Sequence, residues 1–265
     1  MTAEVRPDDR AEVTYELRGK VAYVTFDHVA ARNAMTAAMY QSLQSICLEI
    51  SKNPAVRVLV LRGAGGKAFV AGSDIAQFSD FRSGDDGLLY EESIDQYLSP
   101  LAMLPIPTIA AIEGMAVGGG LAIATCCDFR IATSNACFGV PIARTLGNCL
   151  SSNNLAWLVS HLGVPLVKRM LLLAELIPAE ELLKQGYLLK VCDEKNLDEV
   201  IAELADRLSS LAPITQKSSK QMIARQIGNL TTDCQDLIYE TYASSDFQNG
   251  VKSFLSGKPP TWNGK

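Results

Sequence analysis

No long apolar run occurs in the 265 residues; none approaches the ~20 needed to span a bilayer, so no membrane partner is expected. The first ten residues, MTAEVRPDDR, lack the apolar core of a secretory leader and are expected to fray. Positive charge is in short supply. Lys and Arg total 24 against 29 Asp and Glu, and the net charge of −5 argues against general nucleic-acid binding. It does not help an anionic ligand either, so phosphate contacts must come from individual Lys or Arg side chains. The seven cysteines form no CxxC pair and no zinc-like spacing, and Cys126 and Cys127 are adjacent. Reduced thiols in a cytoplasm are therefore expected rather than disulfides, and no metal site. Histidine is scarce as well. His28 reads as a solvated loop residue, and His161 as a last-turn cation at the negative end of a helix dipole.

With 48% hydrophobic and 20% charged residues, the composition is that of an ordinary soluble protein. The length suits one domain, or one domain with a small appendage. Two stretches stand out. In the first, a β-branched apolar run, Thr108-Ile109-Ala110-Ala111-Ile112, leads to Gly118-Gly119-Gly120 and then to Leu121-Ala122-Ile123-Ala124. This reads as a buried strand, a glycine turn and a helix. Three glycines let the backbone approach a ligand closely, and the first helical N–H groups are left pointing outward. Such a terminus can hold an oxygen that becomes negative during a reaction. The second stretch, residues 67–75, follows a strand at 57–61 and again runs from small residues into a helix, with Asp74 as its cap. Two such turns can converge on one carbonyl oxygen.

The pair FVAGSDI (69–75) and AIEGMAVGGGLAIATCCDFRIA (111–132) resembles the enoyl-CoA hydratase/isomerase (crotonase) superfamily, and the resemblance runs from about Tyr15 to the C-terminus. It implies an α/β fold, a crotonase-like ββα spiral core over 1–195 followed by a helical trimerisation region over 196–265. It also implies an acyl-CoA thioester as substrate, with CoA arriving as part of it and no separate cofactor, and a homotrimer or dimer of trimers. By position, the oxyanion N–H donors are Ser73 and Gly119. Ala31, Arg32, Ala71, Asp74 and Ile75 fall where the family contacts substrate. Lys258, in the C-terminal signature, falls where a basic side chain approaches CoA, in some members from a neighbouring subunit.

In chain order, 12–18 and 21–26 alternate as strands about a Gly19-Lys20 turn, with His28 where the family has asparagine. Thr36 caps a helix ended by Pro54. Ser83-Gly84-Asp85-Asp86-Gly87 reads as a flexible loop, and 88–104 as a helix whose Glu91, Glu92 and Asp95 form a solvated face. Strands follow at 128–132, 136–139 and 189–192. Helices are expected at 153–161, with Gly163 as terminator, and at 165–174, 178–185, 197–211 and from Pro213 onward.

A polarised thioester carbonyl makes its α-proton acidic, but an acid or base must move that proton. The resemblance implies hydratase glutamates at two positions. The first is Ala122, and the second Ile142 or Ala143, in a segment one residue longer than usual. None of these can carry a proton. The nearby polar residues are Arg144, Thr145, Asn148, Cys149, Ser151, Asn153 and Asn154; some isomerases of the family place an acid at the position of Ser151. Cys149 is expected to be inert packing. Glu113 corresponds to a residue turned away from substrate. Isomerisation, decarboxylation, hydrolysis and hydration all remain open, and so does a catalytically degenerate acyl-CoA-binding protein.

Overall fold

Gly19 takes φ of 60°, a conformation open to glycine, and turns β1 (Glu12–Arg18) into β2 (Val21–Asp27), paired antiparallel. The computed structural model describes residues 11–264; the expectation that the first ten residues fray lies outside them. β3 (Val58–Gly63) and β5 (Thr108–Ile112) are covered on both faces, as near-continuous apolar strands of a parallel sheet must be. With β7 (Phe129–Thr133) and β10 (Lys190–Cys192) they complete a six-stranded sheet in the order β1-β2-β3-β5-β7-β10. A second sheet is built from shorter strands: β4 (Ala68–Val70), β6 (Met115–Val117), β8 (Cys137–Gly139) and β9 (Ile177–Pro178), in that order.

The chain lays one strand in each sheet and then a helix, three times over. β3 and β4 precede α2 (Gly84–Ala102), β5 and β6 precede α3 (Gly119–Cys126), and β7 and β8 precede α4 (Ile142–Thr145). That is the expected ββα spiral. Alternate residues of the large sheet face two cores. Val24, Leu59, Leu61 and Ala110 pack with α1 (Ala37–Ile50), α3 and α5 (Ser152–Leu172). Val58, Val60, Ile109 and Ile131 pack with Ile201, Ala205 and Leu208 of α7 (Leu197–Ser210). The chain continues through α8 (Pro213–Gly228), α9 (Gln235–Ala243) and α10 (Ser245–Leu255), with α6 (Ala179–Lys184) earlier. Lys220 Nζ fastens α8 to the sheet by donating to Asp128 Oδ2 at 2.7 Å and to the Ile106 carbonyl at 3.0 Å.

Three expectations need correction. The segment 83–87 is no flexible loop: Ser83 caps α2, and Asp86 Oδ2 accepts from the Ser83 amide at 2.9 Å, a capping box. Glu91 is not on a solvated face, because the buried stripe of α2 runs through Gly84, Gly87, Glu91, Ile94, Leu98 and Leu101. Finally, α5 is long and apolar enough by length and composition to cross a membrane. It is broken at Gly163 (φ 73°, ψ 153°), the expected terminator, and packs on α3 and α8.

The two glycines on the α2 stripe allow a close helix–helix approach. A Cβ on Gly87 would lie 2.1 Å from Tyr242 Cγ, and one on Gly84 2.3 Å from the Tyr239 carbonyl oxygen. α9 therefore lies directly on the backbone of α2. Gly87→Ala gains helix propensity but overpacks this contact, and a net loss of about 1–3 kcal/mol is expected by urea denaturation. Unchanged or increased stability would show that α9 is free to move off α2.

Candidate active site

A cavity of about 540 Å³ opens between the two glycine turns, α2 and α4. The first turn is fixed by the loop before it. The Ala71 amide donates to the Arg32 carbonyl at 3.1 Å, the Met35 amide to Gly72 at 2.8 Å, and the Asp74 amide to Met35 at 2.8 Å. Gly72 takes φ of 120°, which a side chain would resist. Among the described residues these bonds leave the Ser73 amide without a backbone acceptor. In the second turn Gly118 takes φ of 55° and donates its amide to the Gly139 carbonyl. Gly119 then opens α3, where an amide has no acceptor within its own helix. The turns touch: a Cβ on Gly118 would lie 3.7 Å from Gly72 Cα, and one on Gly119 3.2 Å from Ser73 Oγ. Two amides at the positive end of a helix and at a bent turn are thus brought together beside the cavity, an arrangement suited to a carbonyl oxygen that gains charge.

Tyr40 and Tyr90 complete this wall. Tyr90 Oη donates to Ser73 Oγ at 2.8 Å, and Tyr40 Oη lies 3.0 Å from the same oxygen. Burial pushes the Tyr40 phenol up to about 12 and the Tyr90 phenol well above its ordinary value, so both keep their protons near neutral pH.

Ala31, Arg32, Ala71, Asp74 and Ile75 all line the cavity, as do Arg144 and Asn148. Arg32 and Arg144 are exposed, at its rim. Asp74 Oδ1 accepts from the Ala76 amide at 3.0 Å and caps the 3₁₀ turn that follows. Ala122 and Ile142 line the cavity and Ala143 does not. Two expected residues fall outside it. Ser151 caps α5, accepting from the Asn154 amide and donating to Asp95 Oδ1 at 2.7 Å. Lys258 is exposed beyond α10 and absent from the lining of its own chain's cavity.

The remaining candidates have structural partners. His28 Nδ1 lies 2.8 Å from the Ala34 carbonyl, and Arg62 pairs with Glu113 at 3.1 Å. Burial, reinforced by Glu91, pushes the Cys149 thiol up to about 12, consistent with inert packing. His161 is not the cation expected. Burial and the Arg130 charge hold its pKa below the ordinary value, and its ring stacks on Trp157.

Sequence reasoning missed the cavity's main carboxyl group. Glu91 is 3% exposed and lines the cavity. Its Oε1 accepts from Tyr242 Oη at 2.5 Å and its Oε2 from the Ser151 amide at 2.8 Å. Burial raises its pKa from 4.5 to about 7, against the pull of those two hydrogen bonds, with Asp95 adding to the rise. The available signal was its place on the apolar stripe of α2.

The enoyl-CoA hydratase/isomerase family model matches residues 16–265. The chain belongs to that family. It is 35% identical to the short-chain-enoyl-CoA hydratase of Clostridium acetobutylicum over 92% of this chain and 94% of that protein. It is 30% identical to the (E)-benzylidenesuccinyl-CoA hydratase of Thauera aromatica over 95% and 99%. Among solved structures, methylmalonyl-CoA decarboxylase in complex with 2-nitronate-propionyl-CoA superposes with a TM-score of 0.88 at 26% identity, covering 96% of this chain and 98% of that one. An enoyl-CoA hydratase/carnithine racemase from Magnetospirillum magneticum gives 0.78 at 28%, covering 96% of both chains. As in its relatives, the resemblance spans the fold end to end, and the likeness to a decarboxylase as well as to hydratases leaves the reaction to the residues of the cavity.

The Glu91 environment predicts a pH dependence of stability. The folded protein favours the protonated carboxyl, so Glu91 costs nothing below pH 4.5 and its cost grows as pH rises to about 7. Relative to Glu91→Gln, the wild type should therefore lose stability between pH 4.5 and 7 and run parallel above it. Urea denaturation across that range checks this; parallel curves throughout would contradict the buried, protonated carboxyl.

Proposed function

We propose that this family member acts on a CoA thioester through an enolate, with the Ser73 and Gly119 amides as donors to the thioester oxygen. The observation that carries it is the contact of the two turns, with Gly119 against Ser73 at the cavity wall. When the proton next to the carbonyl leaves, charge moves onto the oxygen, and amides already aimed there stabilise it without reorganising. Each such donor typically contributes about 3–4 kcal/mol. Ala31, Arg32 and Ala71 lie on the side of the first turn and Ala122, Ile142 and Asn148 on the side of α3 and α4, which suits CoA at the former and the acyl group at the latter. CoA enters as part of the substrate, and no separate cofactor is invoked.

Hydration by two carboxylates has no support here, since Ala122 and Ile142 line the cavity where the family resemblance would place them. A purely binding role is less well supported than catalysis, because the cavity wall holds a buried ionisable carboxyl.

Calorimetry with butyryl-CoA and with a nitronate analogue of propionyl-CoA, which mimics the enolate, tests the reading. Butyryl-CoA is expected to bind in the micromolar range, about −8 kcal/mol, and the nitronate about 10²-fold tighter or better. Removing the Gly119 N–H should erase that preference. Proline at this first helical position is compatible with a helix, but its Cβ would meet Tyr40 Oη, 2.2 Å away. The substitution is therefore made as Gly119→Pro in a Tyr40→Phe background, with Tyr40→Phe alone as control. No binding of either ligand at millimolar concentration, or an equal preference in the double variant, would overturn the proposal.

A further inference from the structure

Among the described residues, Asp74 and Glu91 are the carboxylates that line the cavity. Asp74 is committed to capping the turn after Ser73. Glu91 is different. It projects from the middle of α2, on a stripe otherwise filled by Gly84, Gly87, Ile94 and Leu98, where an apolar residue would pack without cost. A buried carboxyl is retained there by two donors from distant parts of the chain, the Ser151 amide at the start of α5 and Tyr242 Oη on α9. Each donor occupies one position on one oxygen. A carboxylate has about four, so both oxygens keep capacity to accept a proton.

Held in this way, the group shares a cavity with Ser73 and Gly119 on one side and Ala122 and Ile142 on the other. We propose that Glu91 is the catalytic residue that takes a proton from, and returns one to, the carbon beside the thioester carbonyl; this rests on the enolate reading above. In the forward step the carboxylate forms an O–H bond as the Cα–H bond breaks. That electron pair becomes the Cα–C double bond, and the carbonyl π pair moves to the oxygen facing the two amides. In the return step the oxygen pair restores the carbonyl and Cα, or the γ carbon of an extended enolate, takes the proton back from Glu91. No oxidant, reductant or third reactant is required.

The cavity tunes this group between its two states. Burial and the Asp95 charge one turn along α2 favour the neutral acid, whereas Tyr242 and the Ser151 amide favour the carboxylate, leaving the pKa at about 7. Tyr40 from α1, Tyr90 from α2 and Cys149 near α5 are also close enough to interact with its charge, and all three are held protonated by burial. Arg32 and Arg144 are the cations on the same cavity's rim among the described residues. A group half-ionised near neutral pH suits removal and return of the same proton.

Deuterium incorporation into the α position of butyryl-CoA in D₂O, read by mass spectrometry, tests the proposal without assuming a product. The wild type should exchange, with a rate that rises through an inflection near pH 7. Glu91→Gln keeps the shape and both hydrogen-bonded neighbours. It should lose about 10²–10⁴-fold in exchange rate, while calorimetry shows butyryl-CoA binding within a few-fold of wild type. Tyr242→Phe removes one donor to the carboxylate and should move the inflection to higher pH, a shift that a merely structural glutamate would not produce. Exchange by Glu91→Gln at the wild-type rate would overturn the proposal, as would wild-type binding without exchange; in both cases the enolate-binding reading is judged separately by the nitronate preference. A wild type that neither binds nor exchanges would overturn both.

Discussion

α3 meets the small sheet backbone to backbone. A Cβ on Gly120 would lie 2.0 Å from the carbonyl oxygen of Val70, and one on Gly119 2.2 Å from Tyr40 Oη. A side chain at Gly120 would drive the helix off β4 and one at Gly119 would collide with the Tyr40 hydroxyl, and interiors packed at crystal-like density absorb such shifts poorly. The contact does more than join a helix to a sheet. Because α3 is pressed against the end of β4, its first-turn amides lie beside the turn that leaves β4, and Ser73 comes to rest against Gly119. The Met35 strand-like bridge then holds the Ser73 peptide from its other side. Two turns some forty-six positions apart become one wall of a cavity because Gly120 carries no side chain against β4 and Gly119 none against Tyr40.

A second close approach closes the far side. Gly87 admits Tyr242 onto the backbone of α2, and around that ring gather Phe81, Tyr90 and Phe247 in edge and tilted contacts, with Phe78 packed edge-on against those three. This aromatic cluster carries α9 and α10 back over the segment after Ser73 and excludes water from the carboxyl of Glu91. The same packing therefore stabilises the C-terminal helices and sets the ionisation of a group in the cavity. Buried without Tyr242, that carboxyl would be harder still to ionise; exposed, it would behave as an ordinary acid.

Much of this was readable from the sequence, and the failures share a cause. Strands such as β3 and β5 declare themselves because parallel strands covered on both faces are continuous apolar runs. The glycine turns were readable because three consecutive glycines between a strand and a helix have few other uses. Glu91 was hidden by its neighbours: beside Glu92 and Asp95 it looks like part of a solvated charge run. Only the 3-4 spacing through Gly84, Gly87, Ile94 and Leu98 places it inward, and glycines are not counted as apolar positions in a periodicity search. Tyr242 was not readable at all, since its partner lies 151 positions away. His161 failed for a related reason, because a helix-end position says nothing of the Trp157 ring and the burial that keep it neutral.

In the proposed enolate chemistry the two turns polarise one thioester carbonyl. Isotope-edited infrared difference spectroscopy of butyryl-CoA labelled with ¹³C at that carbonyl reads this directly, since a bond weakened by two hydrogen bonds absorbs at lower frequency. A bound carbonyl band displaced to lower wavenumber than in water is expected, with the displacement reduced when the Gly119 N–H is replaced in the Tyr40→Phe background. A bound carbonyl absorbing at or above its frequency in water would contradict it.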